Sequence, residues 1–228
     1  MNLLREYVRR LVEEDKLEEK RTVAPSSIIY CDMDGVLVDF ETGTVELLNR
    51  LLDDPQALDS TAGKTYHKTL RKLHNELGTE WRLRGRPDMN IKPVRNFMFA
   101  VISENPGKFF GSLSPLADGV GELWSFLNST GHAVKLLTAG VPGRQEAPTS
   151  EQGKKMWAVE NLSPPPEDVI LRPAAQKVEF ATSAGVPNVL IDDKVSTVQA
   201  WNDAKGIGVL HIPGGSSATI ARLQELGL

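Results

Sequence analysis

Short apolar strands alternate with helices along most of the chain, and this alternation constrains the fold more than any other feature. The predicted strands cover Ile28–Cys31, Ala133–Leu137, Val169–Leu171, Val189–Ile191 and Ile207–Ile212. Apolar residues at helical spacing predict helices over 120–127, 154–162, 195–204 and 217–226. Strands that alternate with such helices form βαβ units. The pattern therefore predicts an α/β fold, with an open parallel (Rossmann-like) sheet flanked by helices.

A long helical block separates the first predicted strand from the second. Between Phe40 and Leu113, apolar residues recur at helical spacing and no strand pattern interrupts them. This stretch is far longer than one crossover helix requires. We therefore expect residues 40–113 to form a small helical cap on an α/β core made of residues 27–39 and 114–228. A chain of 228 residues suits one core with a small second lobe.

The first segment, residues 1–26, is predicted to be an amphipathic helix followed by a linker. Leu4, Tyr7, Val8 and Leu11 share one helical face, with charged residues around the rest. The charges are too frequent for a signal peptide or a membrane span. Docking on the protein's own core is the favoured interpretation, with partner binding or a homodimer as the alternative.

Composition excludes several classes of function. With 26 basic and 30 acidic residues, the formal net charge is −4, so the chain lacks the basic excess of proteins that bind nucleic acid through many phosphates. Cys31 is the one cysteine, so neither an intrachain disulfide nor a cysteine-based zinc site can form. We expect a cytoplasmic protein with no membrane partner, in which Cys31 packs in the core.

Polar residues follow the predicted strands where ligands bind in parallel sheets, at the carboxyl ends. Asp32 and Asp34 follow the first strand, and residues two apart in extended chain point the same way. Gly35 permits a tight turn directly after them. Thr138 ends the next strand, and a second acidic pair, Asp192-Asp193, ends a later one. The sequence thus predicts a carboxylate cluster at one edge of the sheet.

Such a cluster repels itself unless a cation neutralises it, and a hard divalent ion with oxygen ligands, Mg²⁺, suits it best. A capping-box pattern, Thr149-x-x-Gln152, predicts that a helix begins close to Lys154. The lysine and the helix N-terminus can both stabilise an anion. A carboxylate nucleophile, a metal, a hydroxyl and a lysine together indicate phosphoryl transfer.

In this order the residues resemble the motifs of the haloacid dehalogenase-like superfamily, over about residues 27–212. The matching positions are Asp32-Met33-Asp34-Gly35-Val36-Leu37, Thr138, Lys154 and Asp192-Asp193. Within the superfamily the chain is similar to the 5'(3')-deoxyribonucleotidase branch. That similarity rests on Asp32–Glu41, Phe109-Phe110 with Leu113 and Pro115, Lys154-x-x-Trp157 and Leu190–Asp193.

The resemblance implies catalytic roles. Asp32 attacks phosphorus and forms an aspartyl-phosphate. Asp34 protonates the leaving alkoxide and later activates water, a role that favours a phosphatase over an ATPase or a dehalogenase. Thr138 and the amide of Ala139 bind phosphoryl oxygens. Lys154 offsets charge on the nucleophile and the phosphate, with Lys155 as the alternative.

The resemblance also implies the metal ligands. Mg²⁺ is held by the Asp32 carboxylate, the Asp34 main-chain carbonyl and Asp193. Asp192 acts through water or orients its neighbours.

The expected substrate is a small phosphate ester, foremost a nucleoside or deoxynucleoside monophosphate. Phe40, just after the acidic turn, and Phe110, at the return from the cap, are the candidates for stacking on a base. Two alternatives are a phosphatase for sugar phosphates or nucleic-acid 3' ends, and an assembly or binding protein on a retained phosphatase fold.

Overall fold

The computed structural model describes residues 22–58, 62–77, 92–144 and 147–228, which are organised around a five-stranded sheet. The strands along the chain are β1 (Ile29–Cys31), β2 (Val134–Thr138), β3 (Val169–Leu171), β4 (Thr182–Ser183), β5 (Val186–Pro187), β6 (Val189–Asp192) and β7 (Ile207–Leu210). The main sheet has the order β3-β2-β1-β6-β7 with every pairing parallel, and β4 and β5 form a separate hairpin. The predicted α/β fold with an open parallel sheet is confirmed.

Strand β1 lies at the centre of the sheet and is buried on both faces. Ile29 and Cys31 belong to the larger hydrophobic cluster, and Tyr30 belongs to a second, smaller one. Successive side chains of a strand point to opposite faces, so each cluster fills one side of the sheet. This explains why the strand is continuously apolar in sequence.

Between β1 and Pro115 the described residues contain four helices, which we call the inserted helices. They are α1 (Phe40–Asp53), α2 (Gly63–Leu77), α3 (Lys92–Ile102) and α4 (Pro106–Gly111). Asp39 caps α1 by accepting the N–H of Thr42 at 3.0 Å, and Asn105 caps α4. Leu48 and Met98 belong to the same cluster as Ile29, so the inserted helices pack directly on the core. Their function as a cap stays a prediction.

The remaining helices cover the two faces of the sheet. They are a π-helix (Gly119–Leu123) that continues into α5 (Trp124–Ser129), then α6 (Ser150–Asn161), α7 (Val195–Asp203) and α8 (Ser216–Glu225). Helix α6 begins at Ser150 rather than at Lys154 as predicted. The reason is the capping box, in which Thr149 accepts the N–H of Gln152 at 3.2 Å and Gln152 accepts that of Thr149 at 2.8 Å.

One functionally relevant element was not predicted. A 3-10 helix, Ala174–Phe180, follows β3 and carries Lys177, which is buried. Seven residues without an apolar repeat give no periodic signal in the sequence.

The predicted amphipathic helix at the start of the chain lies outside the described residues. Within the described ranges, no helix has the length and apolarity needed to cross a membrane.

Candidate active site

The predicted strand-end residues meet at one edge of the sheet. In the register of β1, Cys31 lies beside Leu136 of β2 and Ile191 of β6. Asp32 follows Cys31, and its N–H donates to the carbonyl of Ile191 at 2.9 Å. Asp192 is therefore next to Asp32, while Thr138 ends the strand on the other side.

The turn after Asp32 is tight and depends on a glycine. The N–H groups of Val36, Leu37 and Val38 all donate to the carbonyl of Met33, at 2.8 to 3.2 Å. Gly35 has a φ of +78°, and a Cβ there would lie 2.5 Å from Oδ2 of Asp193. Only glycine combines this backbone conformation with so close an approach. The turn thus brings the second acidic pair against the first.

A buried lysine that the sequence interpretation missed connects two of the carboxylates. Lys177 Nζ lies 3.0 Å from Oδ2 of Asp32 and 2.7 Å from Oδ2 of Asp192, and its side chain is 2% exposed. Burial disfavours its charge, but the two carboxylates outweigh burial and raise its pKa. A usable signal existed, because Lys177 lies six residues after β3, whose carboxyl end faces the same edge.

Asp32 and Asp192 share Lys177, yet their pKa values move in opposite directions. Burial raises the pKa of Asp32, but Lys177, Lys154 and Lys194 together outweigh it and hold that pKa below its ordinary value. Burial also raises the pKa of Asp192, and the ionised Asp32 beside it adds to the rise against the opposing effect of Lys177. The surrounding lysines therefore favour the ionised form of Asp32 more than that of Asp192.

The predicted lysine, Lys154, reaches the first acidic pair from the other side. Its Nζ donates to Oδ2 of Asp34 at 2.8 Å and to Oγ1 of Thr138 at 2.7 Å, and the side chain is 1% exposed. Burial, with help from Asp32, raises the pKa of Asp34 against the opposing effect of Lys154. The alternative, Lys155, is exposed and pairs with Glu151 on the surface of α6.

The acidic cluster suits a divalent cation. Carboxylate oxygens of Asp32, Asp192 and Asp193 lie within 4.8 Å of one another. Among the described residues, Oδ1 of Asp34 and Oδ1 of Asp193 are buried and accept no hydrogen bond. Burial and Asp32 raise the pKa of Asp193 to about 7, because together with the other carboxylates they outweigh the opposing effect of Lys194. Oxygen ligands with unsatisfied negative charge fit Mg²⁺.

Asp32 and Asp192 each have both carboxylate oxygens engaged within the protein. In Asp32, Oδ1 accepts the N–H of Met33 at 2.8 Å and Oδ2 contacts Lys177. In Asp192, Oδ2 accepts from Lys177, and Oδ1 accepts the N–H of Lys194 at 2.8 Å. The role of Asp192 outside the direct ligand set therefore stays a prediction.

The predicted substrate-binding residues lie close to this edge but differ in accessibility. Ala139 follows Thr138 and is partly exposed, and Phe40 is also partly exposed at the start of α1. Phe110 is 2% exposed, packed against Phe40 and Phe109, with Lys154 Nζ 4.4 Å from its ring centre. In this conformation Phe110 offers no open face to a base, whereas stacking by Phe40 stays a prediction.

No protein-family model and no curated protein matches the sequence. Among solved structures, the chain is similar to a hydrolase from Streptococcus pneumoniae TIGR4, at 11% identity and a TM-score of 0.45, over 87% of this chain and 100% of that one. A haloacid dehalogenase-like family hydrolase from Xanthomonas campestris matches at 16% identity and a TM-score of 0.45, over 90% and 96% of the two chains. A HAD-superfamily hydrolase of subfamily IA from Geobacter sulfurreducens PCA matches at 11% identity and a TM-score of 0.44, over 83% and 88%. These similarities concern the course of the chain and not its chemistry.

Proposed function

We propose that this chain is a hydrolase of the haloacid dehalogenase-like type that cleaves small phosphate monoesters, with Asp32 as the nucleophile and Mg²⁺ as the cofactor. One observation carries the proposal: Asp32 and Asp34, two residues apart, each contact a different buried lysine, Lys177 at 3.0 Å and Lys154 at 2.8 Å. Carboxylate oxygens of Asp192 and Asp193 lie within 4.8 Å of Asp32, so a cation can bind at the same point. In addition, the lysines lower the pKa of Asp32 despite its burial, whereas burial raises the pKa of Asp34. Such a pair suits a nucleophile and a general acid.

In the first step, a carboxylate oxygen of Asp32 attacks phosphorus and the bond from phosphorus to the ester oxygen breaks. Asp34 donates its proton to the departing alkoxide, which leaves as an alcohol. In the second step, Asp34 takes a proton from a water molecule that attacks the aspartyl-phosphate. Inorganic phosphate and free Asp32 are the products, and Asp34 ends the cycle protonated.

Three further side chains would bind and orient the phosphoryl group. Lys154 already contacts Thr138 and Asp34, so a phosphoryl oxygen at this point would meet both an ammonium and a hydroxyl. Lys177 contacts Asp32 directly and would balance charge on the nucleophile. Mg²⁺, held by Asp32, the Asp34 carbonyl and Asp193, would supply further positive charge beside the phosphoryl oxygens.

Among small phosphate esters, nucleoside and deoxynucleoside monophosphates are the substrates we propose first. The support is the resemblance of the acidic turn to the deoxyribonucleotidase branch and the partly exposed ring of Phe40 directly after it. Aromatic rings at such a position can stack on a base.

A panel of phosphate esters with Mg²⁺ tests the proposal. We expect phosphate release from nucleoside monophosphates, abolished by a chelator and reduced at least about 10³-fold by Asp32→Asn. Asp203→Asn, on an exposed residue at the end of α7, is the matched control and should retain full activity.

Each contrary result has a distinct meaning. Turnover of sugar phosphates or of a 3'-phosphorylated oligonucleotide, without turnover of nucleotides, would refute the nucleotide substrate alone. Full activity of Asp32→Asn would refute the nucleophile. Halide release from 2-haloacids, with no phosphate released from any ester, would refute the phosphatase.

A further inference from the structure

Lys154 has a partner that the proposed chemistry does not use. An ammonium group has three N–H donors. Two of them are accounted for by Oδ2 of Asp34 and Oγ1 of Thr138. The ammonium lies 4.4 Å from the centre of the Phe110 ring, and the lysine side chain is 1% exposed. The ring therefore occupies the position that water would take around an exposed lysine.

The negative face of an aromatic ring attracts a cation, and the attraction is strongest where water is excluded. Both partners meet that condition, since Phe110 is itself buried. The ring is also held in place. It packs edge to face on Phe109, with ring centres 5.2 Å apart, and stacks on Phe40 at 6.3 Å. A fixed ring can restrain the ammonium where a flexible aliphatic side chain could not.

The contact joins two parts of the fold. Phe110 belongs to α4, the last inserted helix, and Lys154 belongs to α6 of the core. The two helices approach closely because glycines face each other at the crossing. A Cβ on Gly153 would overlap the carbonyl oxygen of Gly107. The N–H of Gly107 also donates to the carbonyl of Pro148 at 2.8 Å.

We propose that Phe110 is a positioning residue for Lys154. Its ring holds the ammonium against Asp34 and Thr138. The inserted helices therefore determine the position of Lys154 beside the carboxylates at the edge of the sheet. The kinetic consequence rests on the proposed function, whereas the placement of the lysine does not. This role also explains why an aromatic residue is buried beside the site without an open face for a ligand.

Fluorinated phenylalanines at position 110 provide the kinetic test, because successive fluorines weaken the negative face of the ring with little change in its size. We expect log kcat for the best ester to fall stepwise from mono- to trifluoro-phenylalanine, by about tenfold to thirtyfold over the series. The same series at Phe109 is the control, since that ring packs in the same cluster but is not the one beneath Lys154. A decline at position 110 no steeper than at position 109 would overturn the proposal.

A second measurement does not depend on activity. The ε-methylene protons of Lys154 should show an upfield ring-current shift in the NMR spectrum of the wild-type protein. Phe110→Leu should abolish that shift and Phe109→Leu should preserve it. A wild-type protein with no such shift would refute the placement. If the shift is present but no ester is hydrolysed, the placement holds and the proposed function fails.

Discussion

The buried lysine between Asp32 and Asp192 shows how strongly single residues define this site. Without Lys177, two adjacent carboxylates would be buried with no charge between them. Removing one partner of a buried ion pair costs far more than the pair itself contributes, since the remaining charge is left without compensation.

Replacing this lysine should therefore be costly. Lys177→Met should lower the free energy of unfolding by about 3 to 5 kcal/mol at neutral pH without metal. Urea denaturation followed by circular dichroism measures the change. Lys155→Met is the control, because this surface lysine pairs with Glu151 in water and its loss should leave the free energy of unfolding nearly unchanged. Equal losses of stability in the two variants would contradict the conclusion that Lys177 compensates the charges of Asp32 and Asp192.

His211 is a second buried group whose state affects stability. It is 1% exposed, with Nδ1 2.9 Å from Oγ1 of Thr219. Burial lowers the pKa of His211 against a smaller opposing effect of Asp118. Since the folded pKa is below the unfolded value of about 6.5, the unfolded state takes up the proton first as the pH falls.

The contribution of neutral His211 is therefore complete above about pH 6.5 and declines as the pH falls toward the folded pKa. The stability of the wild-type protein relative to His211→Gln should be smaller at about pH 5.5 than at about pH 7.5. Urea midpoints of both proteins at the two pH values test this, because the carboxylates contribute to both alike. A difference that grows on acidification would refute it.

At the scale of elements, the crossing of α4 and α6 is the contact on which the site most depends. Gly153 immediately precedes Lys154, and any side chain there would collide with the backbone of α4. A collision with backbone cannot be relieved by rotating a side chain, so the helices must separate.

Gly153→Ala should thus lower stability by about 1 to 3 kcal/mol and reduce the proposed phosphatase activity, because it moves Lys154 away from Asp34. Gly121→Ala is the matched control. It lies in the π-helix, and a Cβ added there would meet no atom within 4 Å. Alanine at this position should be neutral or stabilising by up to about 1 kcal/mol. Thermal unfolding and kcat of both variants test the prediction. Unchanged stability and unchanged kcat in Gly153→Ala would show that the close contact between α4 and α6 is not required.

Elements marked by an apolar run, an apolar repeat or a capping pattern were predictable, and the others were not. The strand Val169–Leu171 was predicted with its observed ends, and α6 was predicted through its capping box, although its start was placed four residues late. The 3-10 helix Ala174–Phe180 was missed because so short an element has neither a repeat nor a side-chain cap.

Across the whole molecule, the site concentrates negative charge that the fold must balance. Four carboxylates, from Asp32, Asp34, Asp192 and Asp193, face two buried lysines, Lys154 and Lys177. If all six groups are ionised, the excess is two negative charges. A divalent cation would neutralise it, and a ligand that binds only the folded state stabilises that state.

Mg²⁺ should accordingly raise the stability of the protein, by about 2.7 kcal/mol at a free concentration 100-fold above its Kd. Asp193→Asn should lose this gain and be at least as stable as the wild type without metal, since it removes a carboxylate whose charge is disfavoured by burial and by neighbouring carboxylates. Asp203→Asn should keep the gain in full. Urea midpoints with Mg²⁺ and with a chelator test the prediction, and equal gains in both variants would refute it.

The sequence by itself determined the order of strands and helices and the chemistry at the strand ends, because both depend on residues close together along the chain. Asp32, Asp34, Thr138 and the Asp192 pair could be assigned to one edge since parallel strands end there. Only the tertiary structure decided that Lys177 connects Asp32 to Asp192 and that Phe110 lies beneath Lys154. Those contacts, and the opposite pKa shifts of Asp32 and Asp34, depend on burial and charge contributed by distant segments, which no local pattern encodes.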